Sequence, residues 1–86
     1  MGYEVELSSR AAREFLKLSQ QLQQRIAPRI DALAMDPRPS GSEKLAGSDA
    51  YRIRAGEHRI VYLVDDGERI VTVTRIGHRR DVYRRL

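Results

Sequence analysis

The sequence predicts an α+β fold in which a helical hairpin covers one face of a small, mostly antiparallel four-stranded sheet. Three observations support this prediction. The chain opens with a short segment of alternating apolar and polar residues, continues with two segments of helical periodicity, and then has three segments rich in β-branched residues. Alternation is typical of strands, and spacings of three and four are typical of helices. The predicted order is β-α-α-β-β-β, as one domain over residues 1–86.

The first strand is expected at Tyr3–Ser8, because apolar residues alternate there with two glutamates. Ser8 or Ser9 can cap the following helix, since a serine side chain accepts a bond from a free backbone N–H. The apolar residues expected to face the core from this helix are Ala12, Phe15, Leu16 and Leu18.

The second helix is expected from about Gln20, and Pro28 within it predicts a kink or a break. Its apolar residues recur at helical spacing and define one face: Leu22, Ile26, Ile30 and Leu33. Asp36–Pro37 ends the helix, because the residue before a proline disfavours the α region. The segment 36–49 is predicted to be a loop, since it is rich in proline, glycine and serine.

Three strands are predicted after the loop, at Tyr51–Ala55, Arg59–Val64 and Arg69–Ile76. The last of them is rich in β-branched residues. The sequence "DDG" between the second and third indicates a hairpin in which Gly67 supplies a positive φ.

Arginines in the segment "YRIRAGEHRIVY" raise the question of where their charges lie. Side chains alternate across a strand, so Arg52 and Arg54 lie opposite the apolar residues of their strand. Arg59 is expected beside them, on the face without helices. Arg75 shares its parity with Val71 and Val73, so alternation alone does not decide whether it faces the helices or the opposite side of the sheet. Alternatively, these arginines pair with nearby acids or lie on a solvated surface.

Charge is distributed unevenly along the chain. The net charge is +4, and all of it falls in residues 51–86, where nine arginines outnumber five acids. A basic region of this kind predicts an anionic partner, most often a nucleic acid. The chain has no cysteine, which excludes disulfides and Cys-based zinc or redox sites. No apolar run approaches the ~18 residues of a membrane span and no signal-peptide pattern opens the chain, so a cytoplasmic protein without a membrane partner is expected.

The segments "YRIR", "HRIVY" and "GHRRDVY", together with "DPRP", resemble RelE toxins of the RelE/ParE superfamily of type II toxin–antitoxin systems. The similarity covers nearly the whole chain and includes the predicted order of elements. It implies a ribosome-dependent endoribonuclease that cuts mRNA in the ribosomal A site. The reaction is attack of a ribose 2′-hydroxyl on the adjacent phosphate, with no metal or other cofactor.

The resemblance implies a catalytic set of Arg54, Arg59, Arg79 and Tyr83. Arg59 is expected to stabilise the phosphate, Arg79 to protonate the leaving group, and Tyr83 to stack on or orient the substrate nucleotide. Further positive charge for binding RNA phosphates is expected from Arg52, Arg75 and Arg80.

The proton acceptor is left open by the sequence, because arginines occupy positions 52 and 54, where the best-studied pattern has lysines. Arginine keeps its proton above pH 12 and is a poor base. Either Arg54 acts through its charge alone, or another group takes the 2′-hydroxyl proton; the candidates are Tyr83, His58 and His78.

The resemblance also implies partners: a cognate RelB-like antitoxin in a hetero-oligomer, and the ribosome with its mRNA. Two alternatives keep the fold and change the function. The first is a ParE-like toxin that inhibits DNA gyrase without cleaving RNA. The second is a module that binds RNA or the ribosome by charge and cleaves poorly or not at all.

Overall fold

The computed structural model describes residues 2–79, in which two helices pack on one face of a five-stranded sheet. The elements in chain order are β1 (Glu4–Leu7), α1 (Ser9–Leu16), α2 (Gln20–Ala32), β2 (Glu43–Lys44), β3 (Tyr51–Ala55), β4 (His58–Asp65) and β5 (Ile70–His78). The strands lie in the order β1-β5-β4-β3-β2. Only the pairing of β1 with β5 is parallel within this part of the chain. The predicted α+β class and the helical hairpin are confirmed.

The sheet has one strand more than predicted. The segment 36–49 was expected to be loop throughout, but β2 lies within it and pairs with Tyr51 and Arg52 of β3. A strand of two residues is too short to show the alternation by which strands are recognised in a sequence. Its position at the edge of the sheet is set by the partner strand.

The helix α1 begins as expected, because the Ser8 side chain accepts a hydrogen bond from the N–H of Ala11 at 3.1 Å. Its predicted apolar stripe is partly wrong. Ala11 is the fully buried residue, and Leu16 is 73% exposed. Ala11, Phe15 and Leu18 follow helical spacing toward the sheet, whereas Leu16 is rotated about 100° from Phe15.

The helix α2 continues through Pro28, so the break that proline predicts is absent. Pro28 removes the N–H that the Gln24 carbonyl would accept. Both residues are exposed, which allows water to bond that carbonyl instead. The expected apolar face is confirmed for Ile26, Ile30 and Leu33, which are buried against the sheet. Leu22, the fourth residue predicted for this face, is only partly buried and is not part of the core cluster.

The core lies between the helices and one face of the sheet. Tyr62 is its largest fully buried side chain, and its hydroxyl donates to the Pro37 carbonyl at 2.8 Å. This bond satisfies the phenol and holds the segment after α2 against the sheet. No helix in the described range is long and apolar enough to cross a membrane.

The hairpin between β4 and β5 forms as predicted, but its geometry differs. The positive φ falls on Arg69, at 57°, and not on Gly67. The turn consists of Asp66 to Arg69, so it is longer than the two-residue turn for which a central glycine is diagnostic.

A bulge in β5 changes which side chains face the core. Val61 pairs with Arg75 and Tyr62 pairs with Val73, which leaves Thr74 as the extra residue. Val73 and Ile76 are both in the core although they are three residues apart. Arg75 therefore does not share the face of Val73, and the parity expected for it is wrong, because a bulge shifts alternation by one residue.

Candidate functional site

Three arginines of β3 and β4 lie on the sheet face opposite the helices: Arg52, Arg54 and Arg59. We call this side the open face and these three residues the arginine cluster. Arg54 and Arg59 are direct register partners on neighbouring strands, and Arg52 is the partner of Val61. Directly opposed side chains lie about 5 Å apart at Cβ. The placement predicted from strand alternation is confirmed.

Arg59 is the buried member of the cluster, with 7% of its surface exposed. Its Nη1 donates to the carbonyls of Gly56, at 3.4 Å, and His58, at 3.2 Å. Its Nε is buried without a hydrogen-bond partner, and no carboxylate forms an ion pair with it within residues 2–79. A charged group in this state favours the approach of an anion.

Arg54 projects from the same surface and is exposed. Within the part of the chain that the structure describes, it makes no hydrogen bond or ion pair, so its five N–H donors face solvent. Arg52 is half-buried and donates from Nε to Glu43 Oε1 at 2.9 Å.

Glu43 is the acid beside the arginine cluster, and no sequence pattern predicted it. It lies on β2, directly opposite Arg52. The hydrogen bond from Arg52 and then the charges of Arg52, Arg54 and Arg59 hold the pKa of its carboxyl below the usual value. Glu43 therefore remains ionised at neutral pH. Its side chain is exposed, and the only signal for it was an acid placed before the strand of Arg52.

Arg79 follows β5 at the same end of the sheet. Its backbone N–H donates to the Glu57 carbonyl at 2.9 Å, and its Nε lies 3.3 Å from Glu57 Oε2. It comes two residues after Gly77, the register partner of Arg59. Both side chains of the Arg79–Glu57 pair are largely exposed, so the pair is weak and separable. Arg80 and Tyr83 lie outside the described residues.

Arg75 is the register partner of Val61 and so lies on the open face as well, but its side chain is paired with Glu14 of α1. Its Nε donates to Glu14 Oε2 at 3.2 Å, and the other oxygen of that carboxylate accepts from the Ile76 N–H at 2.8 Å. β1 ends opposite Val73, so Glu14 bonds the part of the β5 edge that no strand of residues 2–79 covers. Arg75 is as deeply buried as Arg59, but it has a carboxylate partner.

The two histidines face each other across β4 and β5, with ring centroids 5.8 Å apart. His58 shares the parity of Ile60 and therefore lies on the helix side of the sheet, opposite the arginine cluster. Burial, and then the neighbouring His78, lower its pKa. Its neutral ring is on the wrong face to contact a ligand of the cluster. Within residues 2–79, no group of three or more His, Cys, Asp or Glu residues is placed to hold a metal ion.

Comparison with solved structures shows which class of protein has this fold. The fold is that of the toxin in the intact Escherichia coli RelBE toxin–antitoxin complex: the TM-score is 0.77 at 28% identity, over 88% of this chain and 95% of that one. The molecule is thus a toxin-type α+β protein with a basic sheet face.

Sequence comparison gives the family. Residues 5–83 match the family model described as the ParE toxin of type II toxin–antitoxin systems. A putative RelE-like toxin of Escherichia coli is 32% identical over 96% of this chain and 92% of its own length. Toxin RelG of Mycobacterium tuberculosis is 30% identical over 99% and 100%. The chain belongs to the RelE/ParE family of toxins from type II toxin–antitoxin systems.

Proposed function

We propose that the protein is a ribosome-dependent endoribonuclease that cleaves mRNA in the A site without a metal. The observation that carries the proposal is the direct opposition of Arg54 and Arg59 on the open face, with Arg59 buried and its charge only partly compensated. Two guanidinium groups at this separation suit the non-bridging oxygens of one phosphate. The RelE-like names of the relatives support the same activity.

Transition-state charge is the first requirement of the reaction. Attack by the 2′-hydroxyl makes a phosphorane with more negative charge than the starting diester, so fixed positive charge lowers the barrier. Arg59 is held by two backbone carbonyls and needs little reorganisation to meet that charge. Arg54 has no competing partner within residues 2–79, and it can close on the phosphate from the solvent side.

Glu43 is our candidate for the proton acceptor. It is a carboxylate beside the cluster, and the nearby arginines keep it ionised. The same arginines lower its basicity, so its pKa lies below the value near neutral pH that suits a general base best. It accepts the proton because it lies close to the 2′-hydroxyl and is fully deprotonated. Arg52 fixes one of its oxygens, which leaves Oε2 to face the ribose. This assignment replaces the histidine candidates, whose side chains lie on the helix side of the sheet.

Arg79 is proposed to act on the leaving-group side. As the P–O5′ bond breaks and the 2′,3′-cyclic phosphate forms, its guanidinium donates a hydrogen bond to the departing oxygen, which takes its proton from water to become the 5′-hydroxyl. The weak pair of Arg79 with Glu57 releases the guanidinium at little cost. Arg52 and Arg80 are proposed to hold flanking phosphates, and Tyr83 to contact the substrate base. Arg75 was predicted to bind phosphate as well. Its pairing with Glu14 favours a role in holding β5 instead.

A cleavage assay tests the proposal directly. Purified toxin is added to ribosomes programmed with a defined mRNA, and primer extension locates the cuts. Wild-type protein is expected to cut only when ribosomes are present, and Arg79→Ala to cut at least about 100-fold more slowly. Arg29→Ala is the matched control, because Arg29 is an exposed arginine on α2, away from the open face. Intact mRNA under wild-type toxin contradicts the proposal.

A second candidate function is inhibition of DNA gyrase, and the ParE description of the matching family model favours it. A gyrase supercoiling assay distinguishes the two functions. Inhibition of supercoiling together with intact mRNA would assign the protein to this function.

The proposed partner is a RelB-like antitoxin, since a similar toxin was crystallised as the RelBE toxin–antitoxin complex. The arginine cluster is suited to acidic residues of such a partner. Exposed apolar side chains on the helix side, Leu16 and Met35, could be covered by it as well. A partner of this kind and a ribosomal target together imply that the protein acts in the cytoplasm.

A further inference from the structure

An apolar pocket of about 370 Å³ opens on the same sheet face as the arginine cluster. Its floor is formed by Val61 and Leu63 of β4, and its wall by the segment 45–48 between β2 and β3. Leu45, Ala50 and Val61 pack together there as a small cluster separate from the main core. The open face therefore combines a charged part and an apolar part.

The wall of the pocket is fixed by its own hydrogen bonds. Leu45 N–H donates to the Ala50 carbonyl at 2.9 Å, and Ser48 N–H donates to the Leu45 carbonyl at 3.2 Å. Gly47, between them, has a φ of 72°, which a residue with a side chain rarely adopts. A ligand entering the pocket meets a preformed surface, so little ordering entropy opposes binding.

Two hydroxyl groups line this pocket, from Ser48 and Thr74. Ser48 Oγ accepts from the Ala50 N–H at 3.0 Å, which leaves its proton available for donation. Thr74 Oγ1 donates to the Val61 carbonyl at 3.2 Å, which leaves its lone pairs available. Apolar walls with one donor and one acceptor suit the flat ring and polar edge of a nucleobase.

The position of the pocket relative to the arginine cluster argues for the same ligand. Val61 in its floor is the register partner of Arg52, and Leu45 in its wall is two residues from Glu43. Strand positions two apart are separated by about 6.6 Å, a distance that one ribose spans. A nucleotide with its phosphate at the cluster can therefore place its base in the pocket.

We propose that this pocket is a base-binding subsite that receives one nucleobase of the RNA strand whose phosphates contact the arginine cluster. The inference rests on the proposed action on RNA and deepens it. The phosphates supply affinity without sequence information, whereas the pocket would sense which base follows. The subsite thus contributes to the sequence preference of cleavage.

An abasic scan tests the subsite by binding rather than by cleavage. A short single-stranded RNA and its variants with one abasic ribose at each position are titrated with full-length toxin at low salt, and fluorescence anisotropy gives the affinities. One abasic position is expected to weaken wild-type binding about fivefold or more, at the low end of base–side-chain contacts. Leu63→Ala should weaken binding of the intact RNA similarly and lose most of the abasic effect. Leu63 is 42% exposed, so the variant should fold.

Leu16→Ala is the matched control, because Leu16 is an exposed leucine on α1, on the helix side; it should keep both the affinity and the abasic effect. If no abasic position weakens binding by wild-type toxin, the subsite proposal is wrong. If, in addition, Leu63→Ala weakens binding of the antitoxin, the pocket belongs to the interface with that protein. Absence of RNA binding also overturns the subsite proposal. A flat scan with normal ribosomal cleavage leaves the proposed function intact, whereas a position-specific abasic effect without cleavage refutes the nuclease and keeps the subsite.

Discussion

Replacement of Glu14 should destabilise the protein more than replacement of any exposed acid. Its carboxylate accepts from the Arg75 guanidinium and from the Ile76 backbone N–H, and thereby joins α1 to the uncovered edge of β5. In Glu14→Ala, a side chain with 10% exposure keeps its charge without a partner, and a half-buried backbone donor loses its acceptor. Both consequences follow from contacts that no other described residue replaces.

The size of the effect follows from burial. Breaking a buried ion pair by removing one partner costs about 3–5 kcal/mol. The Glu14 side chain is 23% exposed, so water compensates in part and the lower end, about 3 kcal/mol, is expected. A domain of this size has roughly 4–13 kcal/mol of total stability. At about 4–8 °C per kcal/mol, Tm should fall by roughly 12–24 °C.

Urea and thermal unfolding monitored by circular dichroism measure this loss. Glu14→Gln should lose less than Glu14→Ala, because its amide oxygen still accepts from the Ile76 N–H. Replacing the buried pair, as Glu14→Leu with Arg75→Met, should recover part of the stability, since no uncompensated buried charge remains. Arg10, whose Nε is 3.7 Å from Glu14 Oε2, is about half exposed and is solvated in this variant. Glu6→Gln, an exposed acid on β1, is the control and should change stability by under about 0.5 kcal/mol. A loss below about 1 kcal/mol in Glu14→Ala refutes the reasoning.

Three further changes test other parts of the structure. Arg69→Gly should raise stability by about 1 kcal/mol in urea unfolding, because glycine adopts a φ of 57° without strain; a loss contradicts this. The Asp66 pKa is lowered to about 2, first by the hydrogen bond from Arg38, so its contribution is present above the ordinary 3.8 and lost as pH falls toward 2. The Tm difference between wild type and Asp66→Asn should therefore shrink as pH falls from about 4 and vanish only below about pH 2, and a constant difference refutes it. Glu43→Gln should slow ribosomal cleavage about 100-fold without weakening antitoxin binding; a normal rate excludes Glu43 as the base.

Strand alternation alone places the arginine cluster, because a period of two fixes the face of each side chain once the core residues of the same strand are known. Ile53 and Ala55 identify the core face of β3, so Arg52 and Arg54 follow. Helical spacing in the same way predicts the buried face of α2.

Other features depend on long-range contacts that a sequence pattern does not contain. β2 forms only because β3 offers an edge, and Glu43 joins the site through that pairing. The bulge at Thr74 reverses parity in β5, and no local signal marks it. The role of Arg75 depends on Glu14, which lies 61 positions away in the sequence. The sequence therefore predicted the arginines of the candidate site but not its carboxylate, Glu43.

The two buried arginines, Arg59 and Arg75, differ in their partners, and this difference predicts different effects on stability and on cleavage. Arg75 has a carboxylate partner, whereas Arg59 is held by backbone carbonyls alone. Each keeps one buried nitrogen without a hydrogen-bond partner within residues 2–79, Nη1 in Arg75 and Nε in Arg59, so the ion pair is what distinguishes them. An incompletely compensated buried charge destabilises a fold, and proteins retain such groups at functional sites. Arg59→Met should thus hold or raise stability, by up to about 1 kcal/mol, and reduce cleavage about 100-fold or more.

Arg54→Met is the matched control for this separation, because Arg54 lies directly opposite Arg59 but is exposed. Its stability should change by under about 0.5 kcal/mol, and its cleavage should fall. Urea unfolding and primer extension on the same preparations give the two quantities for each variant. Loss of more than about 1 kcal/mol in Arg59→Met would show that Arg59 stabilises the fold, and its burial would then give no support to a phosphate site. A gain of stability together with a loss of cleavage in Arg59→Met would instead show that the buried charge of Arg59 costs stability and serves to bind the substrate phosphate.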